Sequence, residues 1–239
     1  KLYQYCDSLG IMVWQDFMFA CAMYPEESML SDNVRAEVKD QINRLQLHPS
    51  LALWCGNNEI NEGWFNWGWQ KQYKYSQKNS ETIYQNYLSW FENWLPFHVK
   101  TCDPLRSSNY WPSSPSLGWG RKESYTRGDV HYWGVWWGME PFESYNTKVG
   151  RFVSEYGFQG MPALNTFRKF AHDSDLNLQS KVVLNHQKHP RGYPTIQTYL
   201  ERDFKTPKQF ENYIYTSQIL QAEGLETAIE AHRRAQDDR

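Results

Sequence analysis

Two glutamates stand just beyond short apolar runs. Glu59 closes HPSLALWCGNNE (48–59), where the apolar run Leu51 to Cys55 passes through Gly56 into Asn57 and Asn58. Glu155 follows Arg151, Phe152, Val153 and Ser154, and lies 155 − 59 = 96 positions further on. A polar tip on a buried strand has to be hydrogen-bonded or wet. A pair of carboxyl groups held across one bond can cleave a glycoside. One protonates the leaving oxygen, and the other attacks the anomeric carbon or activates water. Spacing alone fits two surface or ion-paired carboxylates equally well, because structural ion pairs also gather acids.

The elements that would hold these groups alternate between short apolar strands and amphipathic helices. YQYCDSLG reads as a helix stopped at Gly10, and residues 11–17 follow as a buried strand. Asp32 can cap a helix whose apolar stripe is Val34, Val38, Ile42 and Leu45. Residues 51–54 form the next strand, and 81–95 a helix with Ile83, Tyr87, Phe91 and Trp94 on one face and Pro96 as its stop. Weaker strands are expected at 106–114, 129–137 and 150–157. A final helix begins with Thr206 as cap, Pro207 in the first position and Gln209 completing a capping box, and runs to about residue 235. Buried strands alternating with helices imply parallel pairing and an α/β fold. At this size a (β/α)8 TIM barrel is the leading solution, with its chemistry at the carboxyl ends of the strands. Asp16, Glu59, Ser113, His131 and Glu155 all fall at or just after such ends. An open doubly wound sheet is the alternative, but no glycine-rich phosphate turn follows any strand.

The 239 residues carry a formal net charge of -2 and an aromatic fraction of 17%, with 12 Trp and 16 Tyr. That surplus of flat apolar faces suits sugars or nucleobases, and the lack of a basic stripe disfavours nucleic acid. No apolar run approaches membrane-spanning length, so no membrane partner is expected. Cys6, Cys21, Cys55 and Cys102 have no CxxC spacing, and most should be buried free thiols.

The motifs resemble those of a known family. HPSLALWCGNNE is similar to the acid/base signature of glycoside hydrolase family 2, and FVSEYGFQ to its nucleophile segment. GIMVWQDFMFACAMYP (10–25) and NNEINE resemble the β-mannosidase branch, in which no proline follows the acid/base glutamate; here Ile60 holds that place. Asn57 stands where many family members have Gly. The resemblance implies Glu59 as general acid/base, Glu155 as nucleophile, and Asn58 as the asparagine that contacts the 2-hydroxyl of the sugar. It implies a retaining exo-acting enzyme that removes terminal β-D-mannose from oligosaccharides through a covalent glycosyl-enzyme intermediate, with the two carboxyl groups roughly 5–5.5 Å apart. The alternatives are β-galactosidase or β-glucuronidase activity in the same family, or a non-catalytic carbohydrate-binding barrel. Neither a metal nor an organic cofactor is called for. The compartment is left open between a lysosome, a bacterial periplasm or secretion, and a bacterial cytoplasm.

Other residues complete the expected subsite. Trp67, in the loop that carries Glu59, is the best candidate for stacking on a pyranose, although a tryptophan can equally be packing. Trp14 is expected in the core. Asp16 would contact substrate hydroxyls or support groups that do, with an ion pair to an arginine of a neighbouring strand as the alternative. His131 would orient Glu155 or touch the sugar. Tyr132 or Trp133 would lie against the nucleophile. His48 reads as structural, and His172, His186 and His189 read as loop residues without metal-ligand spacing. By resemblance, residues 11–17, 51–54, 106–111, 129–133 and 151–154 are barrel strands three to seven, so that 1–239 is the central part of one catalytic domain. The remaining strands, the sugar-binding domain and the immunoglobulin-like domains of the family would be its partners in a longer enzyme. Five strands alone cannot close a barrel. Residues 1–239 made in isolation should therefore be poorly soluble and inactive, and full specific activity from them would sink that idea.

Overall fold

The computed structural model describes residues 1–26 and 28–236, which divide into two compact units, Lys1–Gly118 and Trp119–Arg239. Each builds its own core around a small parallel sheet.

In the first unit the strands are β1 (Val13–Asp16), β2 (Leu51–Cys55) and β3 (Tyr110–Trp111), in the order β1-β2-β3 and all parallel. Their ends are in register, Asp16 beside Cys55 and Cys55 beside Trp111. The helix Leu2–Leu9 ends on Gly10 at φ 68°, a left-handed stop that glycine takes without a Cβ penalty. The helix Ser28–Leu45 buries Val34, Val38, Ile42 and Leu45, the stripe expected from periodicity. It starts upstream of Asp32, however. That residue lies within the helix and pairs with Arg35 at 3.8 Å instead of capping. Pro96 does not end the next helical run either. Gln77–Leu88 passes into a π-helical stretch, Ser89–Trp94, and on into Leu95–Cys102. The Leu95 amide bonds five residues back to Trp90, so the helix widens just before the residue that has no amide to donate.

Only Tyr110 and Trp111 of the 106–114 segment form a strand. Pro104–Asn109 is a 3-10 turn instead, fixed by Arg106. Its guanidinium donates to the carbonyls of Leu51, Gln46 and His48 at 2.6, 2.9 and 3.0 Å. It also pairs at 3.2 Å with Asp103, whose buried carboxylate accepts from the Trp54 indole at 3.0 Å. His48 is structural as expected, with Nδ1 2.6 Å from Asp7 Oδ2 and its ring stacked on Tyr3.

In the second unit β4 (Val130–His131) pairs in parallel with β5 (Val153–Glu155). Both are shorter than expected. After His131 the chain turns, with Glu140 N–H bonded to Gly134 O at 2.9 Å, Gly138 N–H to Trp133 O at 3.0 Å and Trp136 at φ 78°. The long helix Phe210–Arg234 begins past the proposed Thr206 cap, because Gln209 takes the cap position and Thr206 Oγ1 accepts from Gln197. Tyr213, Ser217, Leu220, Gly224, Ala228 and Ala231 form its buried face. A Cβ at Gly224 would lie 2.7 Å from the Phe142 ring, so the close approach requires glycine. His186 ends a helix, Lys181–His186, and is not in a loop. Among the described residues no helix is long and apolar enough to cross a membrane. The α/β class and the parallel pairing expected from the sequence are observed, in two small sheets of three and two strands.

Candidate active site

The carboxyl end of the first sheet is built from three segments that stay aligned beyond the strands. Asn58 bridges in parallel to Ala20 on one side and to Ser114 on the other. The Asn58 amide donates to Phe19 O at 2.8 Å, and its carbonyl accepts from Cys21 N at 2.9 Å. Gly56 lets the chain turn here, since a Cβ would lie 2.4 Å from both Pro112 O and the Tyr110 hydroxyl.

Asn57 is fully buried. Its Oδ1 accepts from Ser113 Oγ at 2.8 Å and from Ile60 N at 3.2 Å, and its Nδ2 donates to Pro112 O at 2.9 Å. It ties the end of β2 to the end of β3 and satisfies an amide at the start of the helix Ile60–Asn66. A glycine could do neither. The resemblance alone did not give Asn57 a role, and the contacts do.

Glu59 follows with φ 60° and ψ 10°, in the left-handed region that side chains other than glycine rarely adopt. Its amide donates to Ser114 O at 2.6 Å and its carbonyl accepts from Gly63 N at 2.9 Å, so both neighbours hold the conformation. Such local strain, of about 1–3 kcal/mol, persists only where surroundings over-determine it, and it gathers at functional positions. The half-buried carboxyl receives the Cys21 thiol, Sγ to Oε2 3.5 Å. Cys21 is the exposed member of a set in which Cys6 and Cys55 are buried and Cys102 is intermediate; none of the four is in a disulfide.

Asp16 ends β1 at the same end of this sheet. Its Oδ1 accepts the Trp14 indole N–H at 2.8 Å, from two residues back on the same strand face. Trp14 is therefore not core. It is half-buried, edge-on to Trp111 at 6.4 Å. Trp67 is 46% exposed and meets Trp69 edge-to-face at 5.8 Å, whereas Trp64 and Trp69 are buried in the apolar cluster. Of these three, Trp67 is the one with a face still open to a ligand.

In the second unit His131 and Glu155 are register partners at the ends of β4 and β5. His131 Nδ1 lies 3.3 Å from Glu155 Oε2, with the imidazole 2% exposed and the carboxylate 38%. Glu155 O accepts the Tyr132 amide at 2.8 Å, and Asp129 accepts from Ser154 Oγ at 2.7 Å. Tyr132 does not face the nucleophile candidate. Its buried hydroxyl donates to Glu140, which raises the phenol far above its ordinary range through burial and that carboxylate. Alternation along the strand turns it into the core opposite to His131. Trp133 is half-buried against the apolar cluster of this unit. His189 accepts from the Trp136 indole at 3.1 Å, and burial, then the Arg191 cation, holds it below the usual imidazole range.

The first unit thus gathers Asp16, Asn58 and Glu59 at one sheet end, with Trp67 just past the following helix, and the second pairs His131 with Glu155. Cys21 and Asn57 join the first, and Asp129 and Ser154 the second; none of these four was singled out for a role by sequence. Cys21 has no motif of its own and reaches Glu59 through a bridge between segments 37 positions apart in Cys21–Asn58 terms.

In α/β folds the chemistry sits at the carboxyl ends of the parallel strands, and these carboxylates lie there. No protein-family model matches the chain. Whole-protein comparison is more specific. The chain is 33% identical over 254 residues to "Beta-mannosidase" of Capra hircus and 36% identical over 246 residues to "Beta-mannosidase B" of Aspergillus niger. Both matches take in 100% of this chain and 28% of the relative, so the chain spans little more than a quarter of the curated proteins it matches. A solved structure, the β-D-mannosidase of Dictyoglomus thermophilum, superposes with a TM-score of 0.78 at 39% identity, over 98% of this chain and 27% of that one. By sequence and by fold the chain is homologous, along its whole length, to one segment of the β-mannosidases.

Proposed function

We propose that this chain is catalytic-domain sequence of a retaining exo-β-mannosidase, with Glu59 as general acid/base and Glu155 as nucleophile. The observation that carries the proposal is that Glu155 ends a parallel strand and Glu59 lies just beyond another, next to the Asn58 bridges, within a chain similar throughout to β-mannosidases. In the first half-reaction Glu155 attacks the anomeric carbon while Glu59 gives its proton to the departing glycosidic oxygen. In the second, Glu59 takes a proton from water as that water attacks the same carbon and frees the Glu155 carboxylate. Asn58 and Asp16 supply polar contacts to sugar hydroxyls, Trp67 and Trp133 supply aromatic faces, and His131 orients Glu155. The fold read here is part of a (β/α)8 barrel, with β1 to β5 as strands three to seven and the rest of the enzyme as partner domains. No cofactor takes part.

The test is covalent trapping in the complete natural protein. A 2-deoxy-2-fluoro-β-mannosyl fluoride should inactivate the enzyme, and peptide mapping should find the fluoromannosyl group on Glu155. A label on another residue would remove Glu155 from the role. Release of α-mannose from a β-mannoside would show inversion and overturn the two-step mechanism. Faster turnover of aryl β-galactosides or β-glucuronides than of β-mannosides would reassign the substrate.

A further inference from the structure

We infer that Cys21 is a positioning residue for the Glu59 carboxyl group, an inference that rests on Glu59 being the acid/base. The thiol lies at 3.5 Å from Glu59 Oε2, within the reach of an S–H donor to a carboxylate. The sulfur in turn is approached by the Asn58 side-chain amide at 4.0 Å, so the thiol is held between the two residues that end the Asn-Asn-Glu segment. Its backbone is committed to this contact. Cys21 sits at φ 48°, and its amide is anchored on Asn58 O at 2.9 Å. Cys21 and Glu59 are both non-glycine residues in the left-handed region, and they meet through their side chains. Two strained backbones that converge on one contact are what a positioned carboxyl group requires. A thiol is a weak donor. It can steer the carboxyl oxygen without locking away the proton that must be given up and regained in each cycle.

The consequence is selective. Proton donation matters most when the leaving group is a poor one. In kcat/KM, which reports steps up to the first irreversible one, Cys21→Ala should lose about tenfold on mannobiose and phenyl β-mannoside, a modest share of what acid catalysis supplies. It should stay within about twofold of the natural enzyme on dinitrophenyl β-mannoside, whose phenolate departs without protonation. Cys21→Ser, which keeps a donor, should recover most of the loss. A purely structural role for the thiol would depress all three substrates alike.

A second measurement needs no turnover. Iodoacetamide labelling of Cys21, followed by mass spectrometry of its peptide, should quicken several-fold in Glu59→Ala, because the reagent needs the free sulfur and the variant removes the acceptor that engages the S–H. Equal losses across the leaving groups, or a labelling rate indifferent to Glu59, would overturn the inference. A natural enzyme with no glycosidase activity would instead remove the acid/base reading beneath it, an outcome distinguishable from the first two by the wild-type assay alone.

Discussion

Two histidine–carboxylate pairs of the molecule are built differently. In the first unit His48 and Asp7 meet at 2.6 Å. The second Asp7 oxygen takes the Ser50 amide at 2.9 Å, and the His48 ring lies on Tyr3. Every polar atom of that carboxylate is engaged in joining the helix Leu2–Leu9 to the start of β2. In the second unit His131 and Glu155 meet more loosely, at 3.3 Å, with the histidine buried and the carboxylate more than a third exposed. A pair that stabilises a fold closes on itself. The second pair keeps its imidazole fixed and leaves the carboxylate reachable, as the proposed reaction requires. Burial of the histidine and exposure of its partner therefore separate the two, although residue types and contact are nearly the same.

The sharpest way to break this contrast is at the exposed carboxylate. Glu155→Gln is nearly isosteric and should leave the thermal midpoint almost unchanged, while mannosidase turnover falls by at least about 10⁴-fold, as for a lost nucleophile. Residual turnover above that level would place Glu155 among the structural pairs. The next effect in size belongs to its partner. His131→Asn keeps a donor but not the reach of the ring, and it should lower kcat by about 10–10²-fold through misplacement of the nucleophile. Slower trapping by the fluorosugar, with the label still on Glu155, would be the matching signature.

Much of this arrangement was legible beforehand, and the failures have physical causes. The stripe Val34, Val38, Ile42, Leu45 and the stop at Gly10 rest on periodicity and on one residue's φ, which are local properties. Glu59 and Glu155 were legible because each follows an apolar run, and because long motifs carry a family's signature. Pro96 misled because the π-helical stretch before it absorbs the missing donor, a backbone adjustment that no residue type announces. The 106–114 segment misled because Arg106 binds three carbonyls that are distant in sequence. The expectation of Trp14 in the core fails because its indole N–H is used by Asp16 at the sheet end. The contacts of Cys21 and Asn57 are hidden in the sequence for the same reason as those of Arg106. Their partners, Glu59 for one and Ser113 and Pro112 for the other, become neighbours only when parallel segments align.

Asn57 lies between the two kinds of construction, since it is buried and bonded to three fixed partners yet adjoins the site. Asn57→Ala would strip an acceptor from Ser113 Oγ and the Ile60 amide and a donor from Pro112 O. Leaving such buried groups unpaired costs about 1–3 kcal/mol. Urea unfolding should show a lower midpoint at an unchanged slope. The mannosidase kcat should fall as well, because Ser114 O and the helix start that hold Glu59 at φ 60° are anchored beside it. A loss of stability with full activity would show that Glu59 keeps its conformation without this scaffold.

The smallest effect is expected at the closed pair, and its pH dependence has a definite sign. The hydrogen bond from His48, then that from Ser50, hold Asp7 down to about 2. An aspartate in an unfolded chain titrates near ~3.9. Between those two values the unfolded chain has taken up the proton and the native chain has not, so stability rises with pH across that window. The contribution is fully present above the unfolded value and is lost as pH falls towards 2. Asp7→Asn should therefore flatten the acid limb of a stability-against-pH curve below about pH 4 and lower the plateau slightly above it. Turnover at neutral pH should not change, because nothing in the pair reaches the sheet end where Asp16 and Glu59 lie: Asp7 and Ser50 join at the amino end of β2. If the variant instead lost activity while its unfolding curve stayed the same, the distinction between a closed pair and a reachable one would fail at the pair that defines it.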